Sequence, residues 1–216
     1  MAASLRHAPS AAPLAALLDA LPAGSVWQAS RIADHADTCH PSGFAALDRE
    51  LPGGGWPAGA LIELLLDQPG VGELSLLLPL LGGAPAERWI TLVSPPLLPY
   101  APALADAGVA LSRLLLVRPP QARDAVWAAR QAAASGSCAA VLAWLHMPDN
   151  TALRRLQLAA EAGATPLFLF RPLAAARQSS PAALRLCLTP AAGQLRVDIL
   201  KRRGPPLARP LLLPIR

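Results

Sequence analysis

Residues 60–75 read Ala60-Leu61-Ile62-Glu63-Leu64-Leu65-Leu66-Asp67-Gln68-Pro69-Gly70-Val71-Gly72-Glu73-Leu74-Ser75, and this stretch decides the fold. Ala60 to Leu66 is apolar except for Glu63, which reads as a strand buried on both faces. Asp67 to Gly72 carries one proline and two glycines, the residues that close a tight turn. From Glu73 to Leu81 the apolar side chains continue at helical length. Strand, turn and helix in that order open an α/β unit.

The alternation continues downstream. The pattern predicts a strand over Arg88–Val93, a helix over Pro99–Ala107, a strand over Leu114–Arg118 and a helix over Ala122–Ser135. A strand over Ala139–Leu145, a helix over Thr151–Ala162 and a strand over Thr165–Phe170 follow. Near-continuous apolar strands separated by amphipathic helices imply a mainly parallel sheet flanked by helices. After Pro172 the alternation stops. Two strands, Leu184–Thr189 and Leu195–Lys201, face each other across a short turn and read as a C-terminal antiparallel hairpin at the sheet edge. Residues 202–216 hold four prolines among basic and apolar residues and are expected to be extended and mobile.

Upstream, residues 1–39 are expected to form a flexible Ala/Pro/Ser-rich segment with one short helix from Pro13 to Leu21. Ser42 reads as the N-cap of a short helix through Phe44, Leu47 and Glu50, stopped by Pro52-Gly53-Gly54-Gly55. The expected organisation is therefore a leading segment (1–39), a core (40–201) and a basic Pro-rich tail (202–216).

Composition bounds the function. The chain has 216 residues, 53% hydrophobic and 15% charged, enough for one well-packed domain. Its charge is split: residues 1–108 hold 4 basic and 10 acidic side chains, and residues 109–216 hold 15 basic and 4 acidic. A basic half suits an acidic or nucleic-acid partner, although a GC-rich coding bias would give the same arginine excess. Three widely spaced cysteines, Cys39, Cys138 and Cys187, make neither a disulfide framework nor a short-spaced metal pair. The uncharged stretches are interrupted by prolines or polar residues, so no membrane span is expected, and the weak N-terminal Ala/Leu run is broken by Pro9, Pro13 and Asp19. A cytoplasmic location is expected.

The turn at 67–75 sits where a phosphate-binding loop would sit, between a strand and a helix N-terminus. Such a loop needs a lysine after its last glycine and then a hydroxyl for magnesium. This chain has Glu73 and Leu74 instead. A carboxylate at the lysine position opposes a polyphosphate by about 4 kcal/mol per charge pair 4 Å apart at an effective dielectric near 20. Gly70, Gly72, Glu73 and Ser75 are thus read as a degenerate phosphate loop, with no cofactor and no enzymatic activity expected.

The segment His40-Pro41-Ser42-Gly43-Phe44-Ala45-Ala46-Leu47-Asp48-Arg49-Glu50-Leu51-Pro52-Gly53-Gly54-Gly55-Trp56-Pro57-Ala58-Gly59-Ala60-Leu61-Ile62-Glu63-Leu64 resembles the segment that leads into the phosphate loop of RecA-type recombinase cores. The resemblance spans residues 40–172 and implies a RecA-like fold. It also places the recombinases' catalytic glutamate near Pro96 and their magnesium-associated aspartate near Trp144, so both carboxylates are lost together with the lysine. A RecA-like core without these groups, followed by a basic tail, resembles the ImuA family of translesion-synthesis proteins. That resemblance implies an accessory role in SOS mutagenesis, assembling or recruiting an error-prone complex at damaged DNA. The implied partners are an ImuB-like Y-family polymerase relative, an error-prone DnaE-type polymerase and RecA. The chain also resembles SulA, the SOS cell-division inhibitor, over Leu61–Leu81, Arg88–Leu92, Ser135–Leu145 and Leu156–Pro172. This second resemblance implies binding of FtsZ.

Remaining constellations carry less. Asp34, His35, Asp37, Cys39 and His40 have ligand chemistry but no second pair downstream, and His146 with Asp149 lacks a nucleophile elbow. Both are read as polar loops. Arg154, Arg155, Lys201, Arg202 and Arg203 form the strongest basic features, with Leu211, Leu212 and Leu213 as apolar anchors in the tail. These eight residues are the expected contacts for a protein partner or for DNA.

Overall fold

The structure is a computed structural model that describes residues 39–205, 207 and 209–215. The short helix expected at Pro13–Leu21, the residues Asp34, His35 and Asp37, and Arg216 lie outside that range. Two short strands, β1 (Cys39–His40) and β2 (Trp56–Pro57), pair antiparallel. An eight-stranded sheet forms from β3 (Leu61–Leu66), β4 (Trp89–Val93), β5 (Leu114–Val117), β6 (Cys138–Trp144), β7 (Leu167–Pro172), β8 (Leu184–Ala191), β9 (Gln194–Lys201) and β10 (Leu211–Pro214). The order across the sheet is β10-β9-β8-β3-β7-β6-β4-β5. The six strands from β8 to β5 are parallel, and β9 and β10 run antiparallel to their neighbours.

Every residue of β3 is buried, which explains its lack of alternation. Helices cover both faces. On one lie α1 (Ala45–Asp48), α2 (Glu73–Gly82) and α3 (Ala101–Asp106), whose Leu47, Leu76, Leu77, Leu81 and Leu104 pack with Ile62, Leu64 and Phe168. On the other lie α4 (Ala122–Ala134) and α5 (Asn150–Ala162). Ala125, Ala129 and Ala133 recur every fourth residue and turn a narrow alanine face of α4 to Val141, Leu153 and Leu156. Asp149 caps α5, its Oδ1 accepting the Ala152 N–H at 2.7 Å. That contact accounts for Asp149 without any catalytic role.

Three expectations are corrected. Ser42 does not cap the first helix: α1 begins at Ala45 behind Phe44, and Ser42 Oγ closes a turn by accepting the Phe44 N–H at 3.1 Å while the Ser42 N–H donates to Asp48 Oδ1 at 2.9 Å. Glycine is required next door, because Gly43 has φ +84° and abuts Pro79 of α2. The β8–β9 hairpin forms as expected but not at the edge, since β8 pairs in parallel with β3 and β9 is covered by β10. The tail is not a mobile extension, because Leu211–Pro214 add the last strand, with Leu213 opposite Leu195 and fully buried. Of the apolar run Leu211-Leu212-Leu213, the chain's own sheet buries Leu213 and leaves Leu212 facing outward.

The buried charges of the core were not anticipated as a cluster. Glu63 is fully buried in the centre of the sheet. The register of β7 and β8 beside β3 brings two guanidinium groups to it: Arg171 Nη1 donates to Oε1 at 2.9 Å and Arg185 Nε to Oε2 at 2.6 Å. Ser180 Oγ also donates to Oε1 at 2.7 Å, and Arg171 Nη2 donates to Gln178 Oε1 at 2.8 Å. Pairing and hydrogen bonding let ions persist in an apolar interior. Here they also pin the segment after β7 against the sheet.

Candidate functional site

The turn after β3 and the start of α2 bring a helix N-terminus to the carboxyl end of the sheet. Gly72 takes the N-cap position with φ 105°, a left-handed conformation suited to glycine. Ile215, just beyond β10, packs against its α-carbon, where a side chain would collide. One amide of this loop faces the chain's own carboxylate. The Gly70 N–H donates to both Glu73 oxygens, at 2.9 and 3.1 Å, and Glu73 is buried. The loop therefore carries an internal anion where an external one would bind.

Trp144 ends β6 and stacks on Phe170 of β7, with ring centroids 4.3 Å apart and planes 11° from parallel. Its indole N–H is sealed from water and has no hydrogen-bond partner among the described residues. Pro96 lies exposed in the loop after β4. Although far apart in sequence, Gly70, Gly72, Glu73, Ser75, Pro96 and Trp144 all line one groove of about 280 Å³. The structure thus brings these six sequence-selected positions together, with an indole and prolines in the groove wall.

The second expected set is not assembled in that way. Arg154 and Arg155 are exposed on α5. Lys201 is exposed and donates to the Ser180 carbonyl at 2.9 Å. Arg202 is turned inward, paired with Glu50 Oε2 at 2.9 Å and also bonded to the Glu50 carbonyl. With Arg203, Gln157 and Glu161 it lines a separate cavity of about 390 Å³ at the amino end of β3. Of the three leucines, Leu212 is 54% exposed and Leu213 is buried. Leu213 therefore cannot serve as an anchor while β10 is in place.

Sequence reasoning missed the rim of the groove. Leu97, Leu98 and Tyr100 are 69%, 72% and 72% exposed, and the only sequence signal for this was their place in a run with Pro95, Pro96 and Pro99. No group of metal-ligating side chains occurs among the described residues. His40 has its pKa lowered, first by burial and then by the nearby Arg88 charge. Cys187, partly buried on β8, has its thiol pKa raised, chiefly by burial. Cys138 is buried. None of the helices among the described residues is long and apolar enough to cross a membrane.

Comparison with known proteins gives one family. Residues 60–166, just under half of the chain, match the family described as cell division inhibitor SulA. This span runs from the start of β3 through α5. A search of curated proteins gives no match. Among solved structures, SulA from Pseudomonas aeruginosa is similar, with 25% sequence identity over 51% of this chain and 97% of that chain and a TM-score of 0.44. The family match is to an inhibitor and not to a catalyst, in agreement with the expectation that the chain is no enzyme. The similarity found is to SulA, and the ImuA resemblance rests on the sequence pattern alone.

Proposed function

We propose that the protein is a non-catalytic binding protein on a RecA-like core, acting as an SOS-associated inhibitor of cell division in the manner of SulA. The observation that carries this reading is the SulA family match across residues 60–166. The phosphate loop filled by Glu73 supports a binding role, because it removes the anion site that nucleotide chemistry needs. The six-stranded parallel run, with the glycine turn on an interior strand and a hairpin returning beyond it, supports the RecA-like assignment. The partner on this reading is FtsZ. Expression from an inducible promoter in a rod-shaped bacterium tests it: cells should grow into filaments, and purified protein should lower FtsZ polymerisation. Normal division at full expression, together with unaltered polymerisation, would refute it.

A second reading is favoured by one observation. The segment His40–Gly59 and the strands β8 to β10 lie outside the SulA-matched span, and the resemblance to ImuA draws on the first of these. On that reading the chain assembles a translesion complex with an ImuB-like protein, a DnaE-type polymerase and RecA. Exposed Arg154 and Arg155 on α5, with Lys201 and Arg203, would then meet DNA or an acidic partner. Deletion of the gene separates the two readings: loss of damage-induced mutagenesis with normal division supports the second.

A further inference from the structure

We infer that the outer edge of β5 is an interaction surface that accepts, as an added strand, an extended segment of a partner protein whose apolar residues are bracketed by aspartate or glutamate. The inference rests on the reading of the chain as a binding protein and names a surface that does the binding.

The sheet ends at β5, whose inner side pairs in parallel with β4 and whose outer side meets no strand among the described residues. Backbone polar groups of successive residues in a strand point to opposite sides. The Val117 carbonyl accepts the Ser94 N–H at 2.8 Å, which turns Val117 and Leu115 toward β4 and leaves Leu116 with its N–H and carbonyl directed outward. The Leu114 N–H is taken by the Leu111 carbonyl, so the free row starts at the Leu114 carbonyl and continues with both polar groups of Leu116. Pro119 and Pro120, which lack an N–H, close the far end. Sheets ordinarily protect such a row with prolines or charges in the edge strand. The opposite edge does so, because β10 is bracketed by Pro210 and Pro214. β5 holds neither a proline nor a charge, and Leu115 and Leu116 stand exposed on its two faces.

A backbone edge is satisfied by another backbone in extended form, which fixes the class of occupant. Leu115 and Leu116 add an apolar contact on each face, so an incoming strand gains from apolar side chains on both of its sides. Charge then selects among extended segments. Arg113 and Arg118 bracket the strand, and residues 107–122 hold no acidic side chain. Arg118 is exposed, and Arg113 is held beside the edge with its guanidinium 5.1 Å from the centre of the Trp89 ring. The nearest acidic residues along the chain are Asp106, at the end of α3, and Asp124, which pairs with Arg123 at 3.6 Å. A second copy joined edge to edge would bring two more arginines and no carboxylate, and that opposes self-pairing. Carboxylates at the two ends of a partner segment meet Arg113 and Arg118 with opposite charge.

Amide hydrogen exchange by nuclear magnetic resonance on the 15N-labelled full chain tests the inference with three peptides: acetyl-Glu-Val-Thr-Val-Thr-Val-Glu-amide, its counterpart with lysine at both ends, and the acidic peptide N-methylated throughout. At saturation the acidic peptide should slow exchange of the outward Leu116 amide at least about tenfold. The lysine and N-methylated peptides should bind at least about tenfold more weakly. Arg118→Glu, at an exposed position, should weaken the acidic peptide and strengthen the lysine one without changing the melting temperature. Unchanged Leu116 exchange, equal binding of the lysine or N-methylated peptide, or an Arg118→Glu variant with wild-type preference would overturn the inference. Protection of the Leu116 amide in the protein alone would also overturn it, by showing a second copy as the occupant where protection grows with concentration and the chain itself where it does not. The division assay keeps the two levels apart. If wild-type protein causes filamentation and none of the peptide effects occurs, the edge fails while the function stands. If the peptide effects occur without filamentation, the function fails while the edge stands.

Discussion

Leu213→Ala should unfold the protein more easily than any truncation at an exposed apolar site, and the neighbouring Leu212→Ala supplies the control. Leu213 is completely buried in the core, opposite Leu195 and beside Val197, whereas Leu212, on the other side of the same strand, is 54% exposed. A buried leucine truncated to alanine loses transfer free energy and leaves a cavity, at about 2–5 kcal/mol. Because β10 is a terminal edge strand that can partly relax, the lower part of that range, about 2–3 kcal/mol, applies. At roughly 2–4 °C per kcal/mol for a chain of this size, the melting temperature should fall by about 4–12 °C. Leu212→Ala should stay within about 0.5 kcal/mol of wild type. Thermal melts followed by circular dichroism, with urea titration for the free energy, provide the measurement. Equal melting of Leu213→Ala and wild type would refute the assignment of β10 to the core and return the tail to the role of an independent element.

Two further predictions follow from the buried groups. Glu63→Ala leaves Arg171 and Arg185, 2% and 6% exposed, without their shared carboxylate, and should cost about 3–5 kcal/mol by urea titration; a variant as stable as wild type would refute the cluster. His40, with its folded pKa held below the ordinary 6.5, binds protons less readily folded than unfolded. Stability should therefore be fully present above pH 6.5 and should fall as the pH drops below it. His40→Asn should flatten the change in melting temperature between about pH 7.5 and 5.5, and an unchanged slope would assign the effect to other groups.

The sheet and its flanking helices were legible from residues 60–172 because strands buried on both faces and helices buried on one leave different periods in a sequence. The turn at 67–72 was legible for the same local reason: a strand, a glycine turn and a helix place Gly70, Gly72 and Glu73 at a helix N-terminus wherever the chain goes next. The tail was misread because Leu211-Leu212-Leu213 among prolines carries no period long enough to mark a strand, and its partner β9 is set by pairing across the chain. Ser42 was misread because a side chain that can cap a helix can equally close a turn, and the choice fell to the position of Asp48.

By itself, then, the sequence determined what nearest neighbours along the chain decide: element types, and the turn at 67–72 with Glu73 directly after its last glycine. Only the tertiary structure decided what depends on residues far apart in the chain. It set the order β10-β9-β8-β3-β7-β6-β4-β5 and brought Arg171 and Arg185 onto Glu63 across sequence separations of 108 and 122. It also turned Glu73 back on Gly70. The physical reason is that a strand's hydrogen-bonding edges and a buried charge can be satisfied by many different segments. Which segment satisfies them is settled by packing of the whole chain.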